Sequence, residues 1–158
     1  MAEHARTKIR RAWVALLKDA NADVGEHVYT GRARPLQSGN LPAADVDFGR
    51  FGGRPDGGPI QSAEGSDATR LLQRLPILTL EVTVEHEDDY LDAIDAIYAD
   101  YERVIAEDNT LGGLVARIAP IGEPIIAISA EGQLPVAKAQ MAFEVEYVTA
   151  FNAPETVA

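Results

Sequence analysis

The chain has 158 residues, 46% of them hydrophobic and 25% charged, with a formal net charge of −11. That length suffices for one domain with a true core, and the composition is that of an ordinary globular protein. Cysteine is absent, which excludes disulfides, thiolate metal sites and a cysteine nucleophile. No run of about 18 apolar residues exists to span a bilayer, and the opening residues contain no apolar signal core, so assembly in a cytoplasm is expected.

The charge is uneven. Residues 1–74 hold 11 Lys/Arg and 9 Asp/Glu, whereas residues 75–158 hold 3 and 16. An acidic body repels phosphate backbones and argues against sequence-specific nucleic-acid binding. The skew also offers two unlike surfaces, through which copies could meet basic to acidic.

Residues 5–20 predict a helix. Ile9, Trp13, Leu16/Leu17 and Ala20 form its apolar stripe, Arg6, Lys8, Arg10, Arg11 and Lys18 lie elsewhere on the cylinder, and Gly25 stands beyond its end. The basic cluster at Arg6–Arg11 reads first as a solvated face; because cations near a helix N-terminus oppose the dipole, contact with an acidic partner is the alternative. Residues 26–34 alternate weakly and predict a short strand ended by Pro35. Arg32 and Arg34 would share one of its faces, either as charges protecting an edge or as a binding pair.

Residues 37–67 contain seven of the 13 glycines and three prolines. They predict a flexible Gly-rich insertion over 37–68, too long for a routine connection. Phe48, Arg50, Phe51 and Arg54 are set among the glycines as candidate anchors that order against a partner. A phosphate-cradling loop is excluded, because neither GxxxxGK[ST] nor a GxGxxG between strand and helix occurs.

From Leu75 to Glu87 the sequence alternates with period two. Leu78, Leu80, Val82 and Val84 fall on one face, and Thr79, Glu81, Thr83 and Glu85 on the other, which predicts a half-buried strand. After Asp88-Asp89 the period becomes helical through Tyr90/Leu91, Ile94, Ile97/Tyr98, Tyr101 and Val104/Ile105. Asp88 or Asp89 can cap this helix. Residues 108–115 predict a short turn, and residues 116–129 an extended strand bent or bulged at Pro120 and Gly122-Glu-Pro124. After a turn at 130–135, a last strand over 136–151 carries Met141, Phe143, Val145, Tyr147 and Thr149 on one face and closes a hairpin. Residues 152–158 predict a frayed tail. The expected fold is a single-domain α+β sandwich. It has about four mostly antiparallel strands, two helices on one face and a strand–helix–strand crossover.

Nothing in the sequence composes a catalytic, cofactor or metal site. His4, His27 and His86 stand in three different elements without ligand spacing. The serines lack a nucleophile elbow, and Asp88, Asp89, Asp92 and Asp95 lack the glycine and glutamate of an EF-hand. The expectation is therefore a protein that is not an enzyme.

The order of several stretches is informative together. They are the helix Arg6-Thr-Lys-Ile-Arg-Arg-Ala-Trp-Val-Ala-Leu-Leu-Lys18, the segment Val28-Tyr-Thr-Gly-Arg-Ala-Arg-Pro35, Leu41-Pro, and Leu78-Thr-Leu-Glu-Val-Thr-Val84. Leu91-Asp-Ala-Ile-Asp-Ala-Ile97, Asp108-Asn-Thr-Leu-Gly-Gly-Leu114 and Phe143-Glu-Val-Glu-Tyr147 follow. This series resembles the tail-terminator (tail-completion) proteins of long-tailed bacteriophages, the minor tail protein U family and its relatives. The chain departs from them in its long Gly-rich insert. The resemblance implies a structural virion protein without cofactor. It would form a homohexameric ring at the neck end of the tail, end polymerisation of the tail tube protein and present a surface to head-completion proteins. DNA would pass only through the lumen. Other neck subunits, such as a head–tail stopper or adaptor, are the nearest alternative. A small α+β enzyme or ligand-binding module with the Gly-rich loop as a lid is another.

Overall fold

The structure, a computed structural model, describes residues 2–48, 50, 51, 54, 55, 60–64 and 70–157, and for residues 50–64 the backbone alone. Its spine is β9 (Leu134–Ala150), whose odd-numbered residues Ala139, Met141, Phe143, Val145 and Tyr147 are all buried. On one side β9 pairs with β6 (Leu71–Arg74) and β7 (Ile77–Glu85), and on the other with β8 (Arg117–Glu131). β6 and β7 form one line in a single register, from Leu71 opposite Ala150 to Glu85 opposite Val136. The break at Leu75-Pro76 reflects the missing proline N–H. The Pro76 carbonyl still accepts the Val145 N–H at 3.0 Å.

β2 (Ala43–Phe48) lies antiparallel to β7, β1 (Val28–Tyr29) parallel to β2, and β5 (Ile60–Glu64) antiparallel to β6. β2 ends opposite Leu78 and β5 begins opposite Arg74, so the Gly-rich stretch leaves and rejoins the same side of one strand line. Within it β3 (Arg50–Phe51) pairs antiparallel with β4 (Arg54–Pro55). β10 (Ala153–Val157) returns along the end of β9.

Helices α1 (Ala5–Lys18) and α2 (Tyr90–Glu107) cover one face of this sheet with the apolar stripes their periodicity creates. Ile9, Trp13 and Leu17 of α1 meet Leu78, Leu80, Val82, Met141 and Phe143 in one core, and the Trp13 and Phe143 rings lie 5.2 Å apart. The Tyr98 hydroxyl is within hydrogen-bonding distance of two strand carbonyls, Leu80 at 3.0 Å and Ala139 at 2.6 Å, which fixes α2 across β7 and β9. β7 and β8 run parallel, joined by α2 and separated by β9, so the expected crossover straddles the spine.

The fold is α+β in one domain with two helices, as the sequence predicts, but the sheet is larger and mixed. The strand expected over 26–34 shrinks to Val28–Tyr29, and Arg32 and Arg34 lie beyond it. Residues 43–48, inside the expected insertion, are a full strand, with Ala44, Val46 and Phe48 buried on the helix face. The tail expected to fray forms β10, because Val157 packs on the core and Lys8 Nζ donates to the Glu155 carbonyl at 2.8 Å. Within the 37–68 insertion, the expectation of flexibility at 49, 52–53, 56–59 and 65–68 falls outside the described residues. The bulge in β8 occurs where expected, between Ile121 and Ile125.

Leu80 is fully buried. Leu80→Ala should lower unfolding stability in urea by about 2–5 kcal/mol. Leu91→Ala, at an exposed position of α2, should stay within about 0.5 kcal/mol of wild type.

Candidate interaction surfaces

The sheet face away from the helices carries the odd-numbered residues of β2 and β7 and the even-numbered ones of β9. The segment 30–42 crosses it, with Leu36 buried and its N–H donating to Glu131 Oε2 at 3.1 Å. Ser38 Oγ donates to Glu85 Oε1 at 2.6 Å. Beneath the segment lies an ion network. Arg32 donates from Nε to Asp45 Oδ2 at 3.1 Å, from Nη2 to Glu131 Oε1 at 3.1 Å and from Nη1 to the Arg34 carbonyl at 2.6 Å. Lys138 Nζ reaches Glu131 Oε1 at 2.6 Å and Glu81 Oε1 at 3.6 Å.

Glu131 is only 9% exposed. Its burial alone would raise the carboxyl, but hydrogen bonds from Arg32, Lys138 and the Leu36 N–H outweigh it and hold the pKa at about 2. Burial works against the Arg32 charge too, and Glu131 and Asp45 more than compensate, raising its pKa. Farther along the same face Arg117 donates to Glu144 and Glu146, both at 3.0 Å, and Gln73 donates to Glu146 at 2.6 Å. Asp47 is exposed on the same face, on β2 across β7 from β9. Asp45, Asp47, Glu81, Glu85, Glu131, Glu144 and Glu146 therefore outnumber Arg32, Arg34, Lys138 and Arg117 on this face, and it is acidic.

The helical layer is charged differently on its two sides. α1 displays Arg11, paired with Glu3, and half-buried Lys18, paired with Glu26, and α2 displays Asp92, Asp95 and Glu102 beside Arg103, which is paired with Asp100. The turn after α1 is joined to α2 by the Asn21–Asp100 hydrogen bond at 2.8 Å, so the molecule presents a basic helix beside an acidic one.

A third surface lies beyond the β8 bulge. Ile125, Ile126 and Ile128 are 48%, 39% and 51% exposed, although Ile126 and Ile128 sit opposite the buried Ala139 and Ala137. At this level α2 still covers β9, where the Tyr98 hydroxyl meets the Ala139 carbonyl, but the outer strand β8 is left exposed. The hairpin turns at Gly132 with φ +62. No described strand pairs with the outer edge of β8.

Arg32 is thus a structural member of the ion network, and Arg34 is exposed at the rim of a groove of about 640 Å³ that Tyr29, Leu36 and Glu131 also line. Phe48 does not stand out as a free anchor. It is buried, with the Arg6 guanidinium 4.9 Å above its ring, because strand alternation turns it to the helix face. Arg50, Phe51 and Arg54 are placed by backbone in β3 and β4, and their side chains lie outside the described residues. Local sequence periodicity does not single out Glu131, Lys138 or the three isoleucines. The signal for the isoleucines is the uncharged run Pro124–Ala130, which does not alternate.

A second groove, of about 320 Å³, is lined by Asp23, Glu85, Glu87 and Asp89. Glu87 is raised by its hydrogen bond to Glu85 and the nearby charges of Glu85, Asp89 and Asp88. Among the described residues no group of His, Asp and Glu could hold a metal ion, and no helix is long and apolar enough to cross a membrane. No family model matches the chain, and no curated protein matches it significantly in sequence.

Glu131→Gln should cost about 2–4 kcal/mol, since it leaves Arg32 and Lys138 short of a charge partner in a half-buried site. A depressed carboxylate stabilises the fold above its unfolded pKa, and that contribution is lost as pH falls toward the folded value. Wild-type stability should therefore drop between about pH 4.5 and pH 2, and this part of the drop should be missing from Glu131→Gln in urea titrations across that range.

Proposed function

We propose that this protein is a tail-terminator subunit. Copies assemble head to tail into a ring that caps the tail tube, ends its polymerisation and offers a platform for head joining. The observation that carries this reading is the helical layer. A closed ring of one kind of subunit needs two unlike, complementary patches on each copy, and α1 beside α2 supplies a basic and an acidic one. Arg11 and Lys18 on α1 stand seven residues apart, as do Asp95 and Glu102 on α2, so each pair spans about 10 Å along its axis. Arg11 and Lys18 are paired with Glu3 and Glu26 within the same chain, and the α1 of one copy facing the α2 of the next would bring each cation a second carboxylate.

The order of sequence elements that resembles the phage family supports the same reading. So does the acidic outer face of the sheet. Turned toward a lumen, it would repel DNA phosphates and let the duplex pass without being gripped.

The test is native mass spectrometry of the chain with its cognate tail-tube protein. Wild type should give a discrete closed ring, six copies by the family resemblance. Arg11→Glu with Lys18→Glu should abolish it. Adding Asp95→Lys and Glu102→Lys to that variant should restore at least a tenfold part of the lost ring population, because the contact is re-formed with reversed signs. A ring that persists in the first variant removes the helix contact from the account, and no ring in wild type removes the ring itself.

A further inference from the structure

The geometry points to a second self-contact, separate from the ring: the free subunit pairs with another copy through the outer edge of β8, antiparallel and about a two-fold axis. Three observations lead there. The run Pro124–Ala130 carries no charge in a chain of net charge −11, so two copies meet there without bringing carboxylates together at its centre. Its isoleucines are exposed although they stand on a regular strand, and an exposed apolar strand edge is a template for strand addition. The third observation concerns length. The edge strand β1 has two residues, β5 has five with the polar sequence Ile-Gln-Ser-Ala-Glu, and β10 has five that include Pro154 and Glu155. The described edge that matches β8 in length and polarity is β8 itself.

An isologous contact needs only one surface. Centred on Ala127, it sets Ile126 against Ile128 of the second copy and Ile125 against Ser129. Glu123 then falls opposite Glu131, whose charge Arg32 and Lys138 already offset. Seven residues a side is small beside the roughly 20–30 of a standard interface, so the dimer is reversible and concentration-dependent. It would cover the apolar edge while the subunit is free.

Sedimentation equilibrium over a concentration series tests this. Wild type should shift from monomer to dimer, and Ile126→Lys with Ile128→Lys should weaken dimerisation at least tenfold with unchanged circular dichroism and Tm, since both side chains are exposed. Because the chain lacks cysteine, Ala127→Cys gives an independent readout. It should oxidise to a disulfide-linked dimer, whereas Leu91→Cys on exposed α2 should not. A wild type that stays monomeric to about 1 mM, or lysine variants that dimerise as wild type does, overturns the proposal. The ring is read separately. Arg11→Glu with Lys18→Glu should spare this dimer, and the isoleucine variants should spare the ring.

Discussion

Everything in this molecule is registered on β9. One seventeen-residue strand holds the β6–β7 line on one side and β8 on the other, and its odd-numbered residues supply the floor on which both helices rest. A shift of one residue in that pairing would turn Met141, Phe143 and Val145 outward and Gln140 and Glu144 into the core. The cost of that exchange fixes the register, and the register in turn places each charged group. Glu81 comes opposite Gln140, and Glu131 opposite Leu134, close enough for Lys138 to bind both carboxylates.

The helical layer does not extend over the outer strand of the β8–β9 hairpin. α2 still covers β9 at Ala139, where Tyr98 meets its carbonyl, but beyond the bulge β8 is left exposed. The apolar residues needed to extend a regular strand there lack a layer above them, so Ile126 and Ile128 stay exposed on the face that is core a few residues earlier. On the opposite face the segment 30–42 does the covering, and the buried ends of Arg32 and Glu131 hold it down. Among the described residues, strand geometry thus leaves one apolar edge without a strand partner, two helices of opposite sign and an acidic sheet face on one small domain. Such a distribution supports the assembly proposed above.

The sequence showed most clearly what periodicity encodes over long stretches. The strand at 77–85, helix α2 and the hairpin of β8 and β9 stood where alternation and helical spacing put them. The β8 bulge was legible because Gly122 and Pro124 cannot continue a ladder. Short or interrupted pairing was not legible. β1 is two residues long, β6 is cut from β7 by Pro76, and β2 reads as part of a Gly-rich insertion because Ala-Ala-Asp-Val-Asp-Phe has few large apolar residues. The tail strand β10 depends on contacts from Lys8, some 147 residues away. Of the candidate site residues, Arg32 and Phe48 read as exposed only because local pattern misplaces their elements: β1 ends at Tyr29, and Phe48 closes a strand. Their true partners, Glu131 and Arg6, are set by tertiary pairing that no local pattern reveals.

The account turns on whether the protein ends a growing tube, and electron microscopy of tube assembly measures that directly. Tail-tube protein polymerised with its length-setting components and this chain should give tubes of one length, each closed at one end by an added ring. Without this chain the same mixture should give tubes of unregulated length with open ends. Length distributions that do not change when the chain is added, with no density at the tube ends, would contradict the account.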